Sequence, residues 1–147
     1  MGLRTRLGTR AMRRKAFLEM IFPADYLRRR SSKALAERVA RDMGRDLADQ
    51  PDVLMKQLAA MRGHDCSSRL SQLAGIPTLV LSGAQDPIAR PEYGQHLSEL
   101  IPNSGYVEIP NVSHGVVFQE PRRINRMLRE HFLEADVLNY LAYAETA

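Results

Sequence analysis

Two residues of this 147-residue chain pair acid and base chemistry in places that suit joint action. They are Asp86, in the turn Gly83-Ala84-Gln85-Asp86-Pro87, and His114, in the loop Asn111-Val112-Ser113-His114-Gly115. A histidine becomes a useful general base near neutral pH when a carboxylate holds one ring nitrogen and the other faces the proton to be removed. The carboxylate then sets the tautomer and steadies the ring. Taken singly, Asp86 reads equally as a turn-forming aspartate before Pro87, and His114 as a loop histidine. Context favours the pair, because each residue comes just after a short apolar strand.

Their separation of 28 positions leaves room for one helix and one strand. Ile76-Pro77-Thr78-Leu79-Val80-Leu81, ending at Ser82-Gly83, is a near-continuous apolar run and predicts a strand buried on both faces. From Pro91 to Ile101, Tyr93, Leu97, Leu100 and Ile101 share one helical face, and Pro102 closes the helix. Tyr106-Val107-Glu108-Ile109 predicts a second strand bounded by Gly105 and Pro110. Strand, helix, strand at this spacing is a parallel pair with a right-handed crossover, and chemistry in such sheets gathers beyond the carboxyl ends of the strands. Both Asp86 and His114 fall there. A final helix begins at Pro121 with an apolar stripe of Ile124, Met127, Leu128, Phe132 and Leu133. Beyond it, Val137, Tyr140 and Leu141 keep helical spacing weakly, as an extension of that helix or as a docking surface.

Upstream of Gly75 the chain reads as all helix. Leu3, Leu7, Met12, Phe17, Leu18, Met20, Ile21 and Phe22 supply apolar mass without a clean period, up to Pro23. Ser31 and Ser32 are N-cap residues for an amphipathic helix carrying Leu35, Val39, Met43 and Leu47, expected to reach about Asp49. Pro51 and Asp52 open another helix, with Val53, Leu54, Leu58 and Met61 apolar and Gly63 as its stop. The methionines at 12, 20, 43, 55, 61 and 127 are expected to fill a core or a lid.

The run Pro77 to Pro87 resembles the acid-bearing turn of the alpha/beta-hydrolase superfamily. Ile109-Pro110-Asn111-Val112-Ser113-His114-Gly115 followed by Glu120-Pro121 resembles that family's histidine loop and the start of its last helix. The resemblance is best over residues 63–133 and implies an α/β fold: the C-terminal part of an alpha/beta-hydrolase core, two parallel strands with flanking helices over residues 76–147. Residues 1–75 are then an all-helical segment similar in kind to the family's cap. It further implies a serine-type hydrolase of ester or similar acyl bonds, with His114 as general base and Asp86 orienting its imidazole. The family's nucleophile sits on a Gly-x-Ser-x-Gly elbow ahead of both, and this sequence contains no such elbow. Ser67, Ser68, Ser82 and Ser113 lack the flanking glycines, and Gly63-His64-Asp65 ends a helix and precedes the strand an elbow should follow. The expectation is therefore a chain that carries the acid and base only and does not turn over alone.

Other features bound the partners. Residues 1–45 hold 13 Lys and Arg against 4 Asp and Glu, whereas residues 46–147 hold 8 against 13. Such a basic block either docks on an anionic partner, which would make the chain a non-catalytic interaction module, or forms a solvated helical face. Without aromatic interleaving or a nucleic-acid motif, no nucleic acid is expected. An arginine-rich start resembles an organelle transit peptide, but the first 30 residues contain no serine. No run approaches the ~18 apolar residues of a membrane span, and the single Cys66 suits a reducing compartment, so a cytoplasmic protein is expected. No nucleotide-binding glycine motif is present, and His64, His96 and His131 lack metal-ligand spacing, so no cofactor or metal is expected. Two strands alone leave an apolar edge open, which calls for a second copy or a partner chain to cover it; the expected substrate is a small molecule.

Overall fold

A computed structural model describes residues 8–49, 51 and 53–146, with side chains through residue 138. Leu3, Leu7 and Asp52, and the side chains of Tyr140 and Leu141, lie outside the described residues.

Helix α1 (Arg10–Ile21) starts where Thr9 caps it, its hydroxyl oxygen accepting the Met12 N–H at 3.3 Å. Pro23 then supplies the extended residue from which the short α2 (Ala24–Arg28) begins. Helix α3 (Ser32–Asp42) is capped by Ser31, which accepts the Ala34 N–H. It stops seven residues short of the expected Asp49, because Gly44 turns the chain at a φ of +66° that other residues avoid. The residues after that turn are nonetheless buried: Leu47 and Ala48 join Leu18, Ile21, Phe22, Leu35, Ala36 and Val39 in the buried interior, and Leu18 and Val39 are almost wholly enclosed. Burying such a side chain contributes roughly 1.5–3 kcal/mol.

The turn also places Asp46 against α1. Its carboxylate accepts the Arg14 Nε–H at 2.8 Å, a second bond from Arg14 Nη2, one from Arg10 Nη2 at 2.7 Å, and the Ala48 N–H at 2.9 Å. These donors, with Arg14 foremost, hold the Asp46 carboxyl far below the usual carboxylate range. Arg13 donates to the carbonyls of Ala48 and Gly8. Three arginines of the basic block are thus used inside the chain. Helix α4 (Leu54–Arg62) ends at Gly63 as expected but buries none of its side chains. Met12, Met55 and Met61 face solvent, so the expected core role holds only in part, with Met20, Met43 and Met127 half-buried.

A 3-10 segment (Ser67–Leu73) leads to β1 (Leu79–Gly83), α5 (Pro91–Leu100) and β2 (Gly105–Ile109). The two strands pair in parallel with Leu79 opposite Gly105 and Gly83 opposite Ile109. Helix α5 lies close on them: a methyl at Gly94 would collide with the Ser82 hydroxyl. The first strand starts three residues later than expected, leaving Ile76 exposed. It is also not buried on both faces, since Leu79, Val80 and Leu81 are only half-buried. The reason is the sheet itself. Among the described residues it has two strands, so β1 has a strand beside it on one edge only. Asn111, at φ +61°, turns the chain after β2 into the histidine loop. The short α6 (Val116–Gln119) and α7 (Pro121–Thr146) follow, and the stretch after residue 134 continues α7. Ile124 and Met127 of α7 pack with Ile109 and Val112 beneath the loop.

Candidate active site

Asp86 and His114 meet. The carboxylate Oδ2 lies 2.9 Å from Nδ1 of the imidazole, with the Asp86 side chain 7% exposed and the His114 side chain 43%. A carboxylate only accepts, so Nδ1 carries the proton and donates it, and in the neutral ring the basic nitrogen is then Nε2. Among the described residues no group of this chain hydrogen-bonds to Nε2. The other carboxylate oxygen, Oδ1, accepts the N–H groups of Ile88 at 2.8 Å and Ala89 at 3.0 Å. Asp86 is therefore both things its sequence context suggested: one oxygen ties the local turn, the other holds the ring.

The two loops are stitched together by backbone. Ala84 N–H donates to the Ile109 carbonyl at 2.9 Å and Gln85 N–H to the Val112 carbonyl at 2.8 Å, so the acid turn is fastened to the end of β2 and to the histidine loop. This approach needs glycine at position 83, where an added methyl would stand 2.9 Å from the Ser113 carbonyl oxygen and 3.0 Å from that of Val112. A further bond reaches the helical segment: Gly115 N–H donates to the Ile21 carbonyl at 2.7 Å.

Gln119 was not singled out by the sequence. Its side-chain oxygen accepts the Ser113 N–H at 2.9 Å and its amide nitrogen reaches the Asn111 carbonyl at 3.4 Å, bracing the histidine loop from α6. The only signal was a glutamine five residues after the histidine, which no local rule marks. Ser82 and Ser113 are buried, and neither hydroxyl is bonded to the histidine ring. Asp65 accepts the Ser67 N–H at 2.9 Å and its hydroxyl at 2.7 Å, bonds that hold its carboxyl below the usual range, in a turn opening the 3-10 segment rather than a nucleophile elbow. His96 stands beside Glu99 on exposed α5, 3.6 Å away. Among the described residues no group of three or more His, Cys, Asp or Glu side chains is arranged to hold a metal, and no helix is long and apolar enough to cross a membrane. A cleft of about 830 Å³ runs between α1 and α3, lined by Leu18, Ala36 and Ala40 among others, well away in sequence from the acid and the histidine.

Comparison with known proteins adds the frame for this geometry. A family profile described as the alpha/beta hydrolase fold matches residues 11–121. The chain belongs to the alpha/beta-hydrolase family. Among its relatives is the proposed carbamate hydrolase RutD of Stutzerimonas stutzeri, 26% identical over 116 residues, which are 78% of this chain and 42% of that protein. Among solved structures, the proposed non-heme bromoperoxidase BpoC of Mycobacterium tuberculosis superposes with a TM-score of 0.68 at 22% identity, covering 88% of this chain and 47% of that one. A thermophilic esterase from Thermogutta terrifontis does so with a TM-score of 0.64 at 23% identity, over 83% and 43%. At those identities the two structures speak for the fold. This alpha/beta-hydrolase chain spans less than half the length of the relatives it matches.

Proposed function

We propose that Asp86 and His114 are the acid and base of a serine-type hydrolase acting on ester or similar acyl bonds of a small molecule. In this reading residues 76–147 are the C-terminal part of the catalytic core, and the helices of residues 1–75 form a cap. The observation that carries it is the 2.9 Å Nδ1 to Oδ2 bond at the ends of two adjacent parallel strands, with no partner on Nε2 among the described residues.

The chemistry runs through Nε2. It takes the proton of a nucleophilic hydroxyl as that oxygen adds to the acyl carbon, then gives the proton to the departing alkoxide. Water follows the same route: Nε2 accepts its proton, the hydroxide adds to the acyl-enzyme, and the released nucleophile is reprotonated as the acid leaves. Asp86 steadies the imidazolium in each half. The hydroxyl and the oxyanion-binding N–H groups come from a nucleophile-bearing portion outside this sequence, in a cytoplasmic protein. That portion also covers the open edge of β1.

Two measurements test the proposal. On an activated ester such as p-nitrophenyl acetate, the chain alone is expected to show no His114-dependent turnover. Supplied with a polypeptide bearing a family elbow and oxyanion loop, it gains turnover that His114→Ala abolishes and Asp86→Asn cuts by about 10⁴-fold. Turnover by the chain alone that disappears in His114→Ala would contradict the reading. Independently of any partner, nitrogen-15 NMR should find His114 protonated at Nδ1 and bare at Nε2. The reverse tautomer in the wild-type chain overturns the proposed roles.

A further inference from the structure

Residues 111–115, which carry the histidine, belong to no helix or strand, so bonds from elsewhere in the chain must fix their path. The Val112 carbonyl accepts the Gln85 N–H at 2.8 Å, the Gly115 N–H reaches the Ile21 carbonyl at 2.7 Å, and the Ser113 N–H reaches Gln119 Oε1 at 2.9 Å. The first two join backbone to backbone and belong to any sequence that follows this path. The third depends on one side chain.

Gln119 bonds on both sides of His114. Its Oε1 accepts from residue 113, and its own backbone N–H donates to the Gly115 carbonyl at 3.0 Å. Its Nε2 reaches the carbonyl of Asn111, the left-handed residue that turns the chain out of β2, at 3.4 Å. Ser113 is 2% exposed, so water has little access to its N–H if Oε1 is withdrawn. A buried N–H left without an acceptor is costly, and a loop without regular structure relieves that cost by rotating the peptide toward water. The residue next along is His114, whose bond to Asp86 weakens steeply once it is lengthened or bent.

The brace is itself held. Helix α6 is four residues long, but the Phe118 ring meets Phe22 edge-on, with centroids 6.5 Å apart, and packs against the buried interior of the helical segment. The Phe118 carbonyl accepts Arg38 Nη2 at 2.8 Å. Gln119 therefore reaches the loop from a supported point, as a group that orients another must.

We propose that Gln119 is a positioning residue for His114, acting through the Ser113 N–H to keep Nδ1 aligned with Asp86 Oδ2. It rests on the reading of Asp86 and His114 as acid and base. The shorter of the two side-chain bonds carries the effect. A glutamate at 119 keeps the acceptor for Ser113 and loses only the donor toward Asn111, whereas alanine loses both.

Nitrogen-15 NMR of the whole chain, with the imidazole neutral, reads the consequence as the tautomer of His114. Wild type and Gln119→Glu should hold the Nδ1–H form. Gln119→Ala should release at least about one ring in ten to the Nε2–H form, because the bond to Asp86 no longer selects one nitrogen. Far-ultraviolet circular dichroism and urea unfolding show whether each variant is folded, and Gln119→Met, which keeps the bulk without an amide, reads the same bond if the alanine variant is not. A lower urea midpoint with the wild-type tautomer retained in both Gln119→Ala and Gln119→Met would make Gln119 a stabilising residue only and overturn the proposal. So would a Gln119→Glu ring as mixed as that of the alanine variant. The Nε2–H form in the wild-type chain is a different failure, since it defeats the acid and base assignment before any substitution is made.

Discussion

The helices before Gly63 and the strand-helix-strand unit after Gly75 enclose themselves by different means. The first does it with side chains: Leu18 and Val39 are almost fully enclosed, and Asp46 gathers Arg10 and Arg14 across the outside. The second leaves Leu79, Val80 and Leu81 half-open yet holds its two loops by backbone bonds from Ala84 and Gln85. A helix satisfies its own backbone and needs only a face to bury, whereas a strand needs neighbours on both edges. The acid and histidine are thus held in place by loop backbone beyond the ends of two strands whose side chains stay half-open.

Substitutions can break or sharpen that contrast. Val39→Asp puts an unpaired carboxylate at the fully enclosed centre of the helical segment and should cost about 4 kcal/mol or more, read by urea unfolding. Retention of a wild-type midpoint would show that this centre does not govern stability. Leu18→Ala and Leu79→Ala remove the same atoms from a closed and a half-open site, so roughly 2–5 kcal/mol is expected for the first and about 1 kcal/mol for the second. Equal losses would erase the difference between the two regions. Gly83→Ala is small in volume but presses a methyl on the Ser113 and Val112 carbonyls, at a cost of roughly 1–3 kcal/mol. The His114 ring resonances should move with it, and unchanged resonances would mean that the loops tolerate separation.

The smallest effect concerns pH. Because the Asp46 carboxyl lies lower in the folded chain than its ordinary value of about 3.9, its stabilisation is complete above that pH and is lost as pH falls from there toward the folded value. The melting-temperature gap between wild type and Asp46→Asn should hold steady near neutrality and narrow below about pH 4. A gap that widens on acidification would refute the assigned sign.

The positions of Asp86 and His114 were legible in the sequence because everything that brings them together is local: an apolar run, a proline-bounded helix, a second short run and two turns. The family resemblance drawn from those residues agrees with the profile match. What the sequence hid was long-range. Nothing near Asp46 announces Arg10 and Arg14, more than 30 positions away, and the early end of α3 at Gly44 is what allows them to meet. The apolar run at residues 76–81 overstated the enclosure of β1 because a run of apolar residues shows that a strand can be buried but not how many strands lie beside it, and among the described residues β1 has one. Gln119 escaped notice because a side chain bracing a loop leaves no periodic trace.

The bond from Gly115 N–H to the Ile21 carbonyl joins the residue after the histidine to the end of α1. A methyl at Gly115 would stand 2.9 Å from that oxygen, so the two segments touch with no slack. The histidine loop is therefore moored by backbone at two points, to the acid turn through Gln85 and to the end of α1 through Gly115, so the helical segment and the strand unit share a seam beside the imidazole.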